Sequence, residues 1–185
     1  YLQKQLTLSN KLNIIAGGRF DKNTLYTAQF SPKLAVGYKI TPSLIAKVSV
    51  GAGFKAPDFR QQYLNYSSSL VGYTILGARE LGNGLERLQE SGMLSGSVDI
   101  KPYRNGVILQ PERSVGFNAG IDYTINTRGV LKVNVFRNDI NHLIETYNLP
   151  FNQINNKAIF SYANVDRVYT EGAEVNFSYR INKNL

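Results

Sequence analysis

The chain has 185 residues, of which 43% are hydrophobic, 18% charged and 11% aromatic, with no cysteine, one histidine and a formal net charge of +8. The missing cysteines exclude disulfide scaffolds, cysteine-ligated zinc and thiol catalysis. The single His142 excludes histidine clusters, and no stretch reaches the roughly 18 apolar residues of a transmembrane helix. The charge raises nucleic acid, anionic lipid or an anionic ligand as partner. Lys and Arg are scattered, however, so the sequence does not read as a nucleic-acid binder.

In chain order, apolar residues recur at every second position, the signature of strands with one apolar and one polar face. The pattern is weak over 2–8. It is clear over 12–20, where Leu12, Ile14, Ala16, Gly18 and Phe20 oppose Asn13, Gly17 and Arg19. It returns at 30–40 and again at 44–54, where Leu44, Ala46, Val48, Val50, Ala52 and Phe54 oppose Ile45, Lys47, Ser49, Gly51 and Gly53. It continues at 115–125, 130–136 and 173–181. Seven strands are expected, and the chain reads as all-β. Within 55–110 a short helix is expected near 84–91, where Leu85 and Leu88 lie three apart and Glu86 and Glu90 one turn apart.

Connections alternate in length. Short turns are expected at 9–11, 41–43, 126–129 and after Asn182, and longer loops at about 22–28, 55–110 and 145–158. An antiparallel up-and-down transmembrane β-barrel has this asymmetry, with short periplasmic turns and longer extracellular loops. Its strands need about 9–11 residues, and most of these reach that. A soluble β-sandwich, as an adhesion or carbohydrate-binding module, is the alternative on pattern alone. Against it stands an apolar face without charge between Leu12 and Phe20, Leu44 and Phe54, and Val115 and Ile125.

Two motif matches carry no function. Gly51-Ala52-Gly53-Phe54-Lys55-Ala56 fits a dinucleotide fingerprint, but Pro57 disfavours the helix start that would hold a pyrophosphate. Gly82-Asn83-Gly84 lacks the Lys-Ser/Thr of a phosphate loop and reads as a turn. His142 reads as an exposed residue at a loop mouth, with no second ligand for a metal. No catalytic group, metal site or cofactor is expected. The polar faces carry Arg19, Lys33, Lys39, Lys47, Lys132 and Arg180 against Asp21, Glu112, Asp122 and Glu174. Glu112 and Glu174 are expected to pair with Arg19, Lys33, Lys47 or Arg180. The basic surplus suits an anionic cargo or an acidic protein surface. The 55–110 segment holds Arg60, Tyr63, Tyr66, Tyr73, Arg79, Tyr103 and Arg104, a set able to stack on and pair with an aromatic, anionic ligand or to fold the segment on itself.

Four motifs in order carry a resemblance. Gly51-x-Gly53-Phe54-Lys55-Ala56-Pro57, with Tyr63 soon after, resembles the G-x-G-F-[RK]-A-P element of TonB-dependent outer-membrane receptors. Leu109-Gln110-Pro111-Glu112-Arg113-Ser114 resembles their L-x-P-E-x-S strand start. Val135-Phe136-Arg137-Asn138-Asp139-Ile140 resembles a third element, and Tyr162-x-Asn164 followed by Gly172-x-Glu174 a fourth. The resemblance implies about seven strands of a 22-strand barrel, an internal piece of its wall, with the plug domain and energy-coupling segment elsewhere. It further implies the outer membrane of a Gram-negative bacterium, contact with its lipid, and TonB-driven import of a scarce nutrient. Ferric siderophore or heme is the leading cargo, with cobalamin as a further one. A passive porin or structural barrel would lack the G-F-K-A-P and P-E-R-S elements.

Overall fold

The computed structural model describes residues 1–23, 26–68 and 72–181. The turn expected after Asn182 lies outside them. The strands are β1 (Leu2–Ser9), β2 (Leu12–Asp21), β3 (Gln29–Thr41), β4 (Leu44–Lys55), β5 (Asn65–Ser68), β6 (Tyr73–Leu76), β7 (Glu112–Ile125), β8 (Gly129–Asn152) and β9 (Ala158–Tyr179). Helices α1 (Phe59–Tyr63) and α2 (Leu81–Glu90) flank the β5–β6 hairpin. Among the described residues the strands form one nine-stranded sheet in the order β1-β2-β3-β4-β7-β8-β9-β6-β5. The chain divides into two compact units, Tyr1–Phe54, Arg113–Asn141 and Arg167–Leu185 in one, Lys55–Glu112 and His142–Asp166 in the other.

In the first unit the alternation of the sequence becomes two faces. Ile14 pairs with Val36 and Val36 with Val48, while on the opposite face Asn13 pairs with Gly37 and Gly37 with Lys47. β4 and β7 are neighbours, as expected from the sequence. The Thr124 amide donates to the Ser43 carbonyl (2.8 Å), and Lys47 forms an ion pair with Asp122. Val48 and Phe117 stand together on the apolar side, 59% and 51% exposed. Every fully buried apolar side chain among the described residues belongs to the second unit. The first unit is therefore a sheet whose apolar rows lie open.

The second unit has the core. Leu76, Leu81, Leu85, Leu94, Ile100, Leu149 and Ile159 are buried together. β6 runs parallel to the start of β9, pairing Tyr73 with Ala158 and Ile75 with Phe160. Gln153 Nε2 donates to Thr74 Oγ1 (2.7 Å), which donates to Ser67 Oγ (3.0 Å).

Four sequence expectations are corrected here. Among the described residues the strands number nine, not seven, because 55–110 contains β5 and β6. The loop expected at 145–158 is the continuation of β8 and the start of β9, with 153–157 between them. Tyr147, Leu149 and Phe151 carry the alternation, masked in the sequence by Asn148 and Pro150. The turn expected at Gly82-Asn83-Gly84 lies inside α2. Both glycines are close-approach positions: a Cβ on Gly82 would meet the Arg104 carbonyl, and one on Gly84 would lie 2.5 Å from a Leu76 methyl. The expected helix is thus present, beginning at Leu81. His142 is not an exposed loop residue. It is half-buried within β8 at φ 57°, and its Nδ1 is buried with no hydrogen-bond partner.

Candidate functional site

Helix α1 follows the G-F-K-A-P motif because Asp58 caps it. Asp58 Oδ1 accepts from the Gln61 amide (2.7 Å), and Gln61 Oε1 accepts from the Asp58 amide (3.0 Å), a reciprocal capping box. The helix sets the Phe59 and Tyr63 rings one turn apart, centroids 6.3 Å. The Arg79 guanidinium lies 6.0 Å from the Tyr63 ring. Phe59, Arg60, Tyr63 and Tyr66 are exposed, Phe59 at 77%. The sequence reading missed Phe59. Its spacing from Tyr63 behind an Asp-x-x-Gln cap was the available signal.

The other loop candidates hold the unit together. Tyr73 packs between Tyr66 (6.3 Å) and the edge of Phe160 (6.2 Å), and Tyr103 against Phe151 (5.7 Å). Arg104 pairs with Glu86 (3.1 Å). Burial pushes the Tyr147 phenol above its ordinary value, and Tyr103 adds to this. Of the seven expected binding residues, Arg60, Tyr63 and Tyr66 share the open surface, while Tyr73, Arg79, Tyr103 and Arg104 have partners within the unit.

Several motif residues are bonded within this unit. Glu112, buried just after the buried Pro111, accepts from Lys55 Nζ (2.8 Å) and from the Ile144 amide (3.2 Å). It therefore does not pair with Arg19, Lys33, Lys47 or Arg180, because its strand end turns it toward Lys55. Asn164 donates to the carbonyls of Gln110 (2.9 Å) and His142 (2.7 Å) and accepts from the Gln110 amide (2.8 Å). The Pro57 carbonyl accepts from Gln62 (3.0 Å), next to half-buried Ala56. In the first unit Phe54 packs on Tyr26 (5.8 Å), and a Cβ on Gly53 would sit 3.1 Å from Ser114 Oγ. Gly172 is required by the Phe136 ring, which would lie 2.9 Å from its Cβ. Gly51 has ordinary clearance from Lys33.

On the polar face Arg19 pairs with Asp21 (2.6 Å), and Lys33 lies over the Tyr1 ring (5.4 Å). Lys47, Asp122 and Lys132 follow one another across β4, β7 and β8, with Asp122 directly opposite Lys132. Glu174 of β9 lines the same concavity. The Arg180 amide donates to the Arg128 carbonyl (2.8 Å). One charged group was not anticipated. Where the apolar rows end beyond Val135 and Ala173, Arg137 binds Asp139 (3.0 Å) and Glu171 (3.1 Å), Arg167 binds Asp139 (2.8 Å), and the Tyr169 ring lies 4.7 Å from Arg137. Among the described residues no group of three or more acidic or histidine side chains is placed to hold a metal.

The antiparallel sheet of the first unit, apolar and open on one face and polar on the other, is the kind of wall from which transmembrane β-barrels are built. The family "TonB dependent receptor-like, beta-barrel" matches residues 1–185, and the chain belongs to it. Its members are receptors and transporters of the Gram-negative outer membrane. The chain is 25% identical, over 100% of its length, to the "Iron-regulated outer membrane virulence protein" of Vibrio cholerae, of which it covers 25%. Over 45 residues, 24% of the chain, it is 44% identical to "Vitamin B12 transporter BtuB" of the same species, covering 7% of that protein. The siderophore receptor PirA from Pseudomonas aeruginosa shares the fold at a TM-score of 0.72 and 18% identity, over 98% of this chain and 30% of that one. The chain thus spans at most a quarter of the curated relatives it matches.

Proposed function

We propose that the chain is part of the barrel wall of an outer-membrane receptor that captures a scarce nutrient, a ferric siderophore or heme ahead of cobalamin. The nutrient is then imported with energy coupled through TonB and a plug domain. The open apolar rows face the lipid of a Gram-negative outer membrane, the polar face lines the lumen, and 55–110 lies outside the cell. Further strands complete the barrel toward 22. No enzymatic step, cofactor or nucleic acid enters this reading.

The observation that supports it is the exposed Phe59–Tyr63 ring pair of α1, with Arg60 and Tyr66 also exposed, on a unit with its own buried core. Rigid aromatics beside a cation suit a planar, anionic ligand. Arg79 adds a second cation beside the Tyr63 ring, while Tyr73, Tyr103 and Arg104 are engaged by partners within the unit. Within the unit, Glu112 ties Lys55 to the Ile144 amide, and the Pro57 carbonyl holds Gln62. The test is growth of an iron-starved strain lacking the receptor, complemented with the full-length gene and supplied with ferric siderophore, heme or cobalamin. Tyr63→Ala with Arg60→Gln is expected to weaken ligand binding about tenfold while the receptor still reaches the membrane. Unchanged affinity in that double variant would move the site elsewhere.

A further inference from the structure

Lys55 and Glu112 begin and end the longer stretch of the second unit, and they are bonded to each other. The Lys55 ammonium lies 2.8 Å from Glu112 Oε1, with the lysine side chain 57% exposed and the carboxylate side chain 11%. The same oxygen accepts from the amide of Ile144, which is buried with Ala78, Leu109 and Tyr162. Each end of the stretch also has a stiff route to α1. From Lys55 the link is Ala56-Pro57-Asp58. Pro57 has a locked φ, its carbonyl accepts from Gln62 Nε2 (3.0 Å), and Asp58 caps the helix. From Glu112 the chain runs back through Gln110, held at its amide and its carbonyl by Asn164, to Val107. The Val107 amide donates to the Ala78 carbonyl (2.7 Å). The Ala78 and Arg79 amides in turn donate to the carbonyls of Gln61 (2.8 Å) and Gln62 (2.9 Å) on α1. The Lys55–Glu112 pair therefore closes a ring of bonded chain that includes the helix carrying Phe59 and Tyr63.

We infer that Lys55 and Glu112 are positioning residues that set how long the ligand stays on the Phe59–Tyr63 ring pair. This rests on the receptor reading above and deepens it, because the pair acts through α1 and not by contact with ligand. A charge-assisted hydrogen bond to a carboxylate is among the strong ones, and removing one partner of a largely buried pair leaves the other uncompensated. With the pair intact, both routes to α1 are pinned at one point and the two rings hold one arrangement. With it broken, the ends of the stretch come apart and the rings lose that preorganisation, which is lost affinity. The exposed member is Lys55, so the bond opens by withdrawal of the ammonium into water while Ile144 stays packed.

The test uses the full-length receptor in detergent as wild type, Lys55→Met, Glu112→Gln, the double variant and Lys55→Arg. Hydrogen exchange is read first, without ligand. Peptides over 57–64 and 105–112 are expected to exchange roughly tenfold faster in the Met and Gln variants, with 12–54 unchanged. Dissociation of whichever of a ferric tris-catecholate, heme and cyanocobalamin the wild type binds is then timed. It is expected to quicken about tenfold in each single variant, no further in the double variant, and not at all in Lys55→Arg. A purely structural role would lower the amount of receptor able to bind and leave the dissociation rate as in wild type, and that result overturns the inference. Additive effects of the two single changes overturn it, as does equal acceleration of exchange over 12–54. A wild type that binds none of the three probes refutes the receptor reading, and this inference with it. Unchanged dissociation from variants of a receptor that does bind refutes the inference alone.

Discussion

Truncating Leu85 to alanine isolates the stability of the second unit. Leu85 is 0% exposed and belongs to a cluster with Leu76, Leu81, Leu149 and Ile159. Leucine-to-alanine changes at such sites cost about 2–5 kcal/mol, the transfer term plus the cavity left behind. Taking about 3 kcal/mol, opening of the unit becomes roughly a hundredfold more frequent. All of the cluster's members lie in the second unit, so the effect should remain there. Hydrogen exchange on the full-length receptor in detergent reads it directly. Peptides over 73–90 are expected to exchange about a hundredfold faster, and peptides over 12–54 as before. Equal acceleration in both regions, or none in either, would refute the view that 55–112 and 142–166 form a self-supporting core.

Gly82→Ala should destabilise α2 by about 1–2 kcal/mol even though alanine is the better helix former, because its Cβ meets the Arg104 carbonyl; faster proteolysis of 81–104 checks this. Asp122→Asn removes the anion between Lys47 and Lys132, and the barrel's thermal midpoint should fall more at low salt than at high salt. Asn164→Ala deletes three hydrogen bonds to Gln110 and His142. It should cost about 1–3 kcal/mol and appear as lost amide protection at Gln110.

The strands of the first unit were legible because one physical requirement governs them. A sheet with one apolar and one polar face writes itself as period two, and 12–20, 44–54 and 115–125 obey it throughout. The second unit was less legible because its strands answer to a packed core. β5 (Asn65–Ser68) is polar and β6 only four residues long. β8 continues through Pro150, and two glycines sit in α2 for reasons visible only across the fold. Among the candidate residues, the type of side chain was readable but its partner was not. Glu112 is acidic and near a strand end, as expected. That it meets Lys55 and the Ile144 amide depends on where three distant segments converge.

The open apolar rows argue against a soluble sandwich independently of any motif. A sandwich covers each inner face with a second sheet, so its strand residues supply the core. Here the strand residues of the first unit supply none of it. Leu34, Val48, Phe117, Val135, Val175 and Phe177 remain 44%, 59%, 51%, 51%, 69% and 59% exposed. A contiguous exposed apolar face of this kind is uncommon on soluble monomers. Among the described residues no second sheet lies against these rows. The opposite face carries the lysines, amides and glycines, and it would be the solvated side of a sandwich or the lumenal side of a barrel alike. The apolar face separates them: rows that are apolar, in register and uncovered among the described residues fit the hydrocarbon of a bilayer as solvent, the reading proposed above.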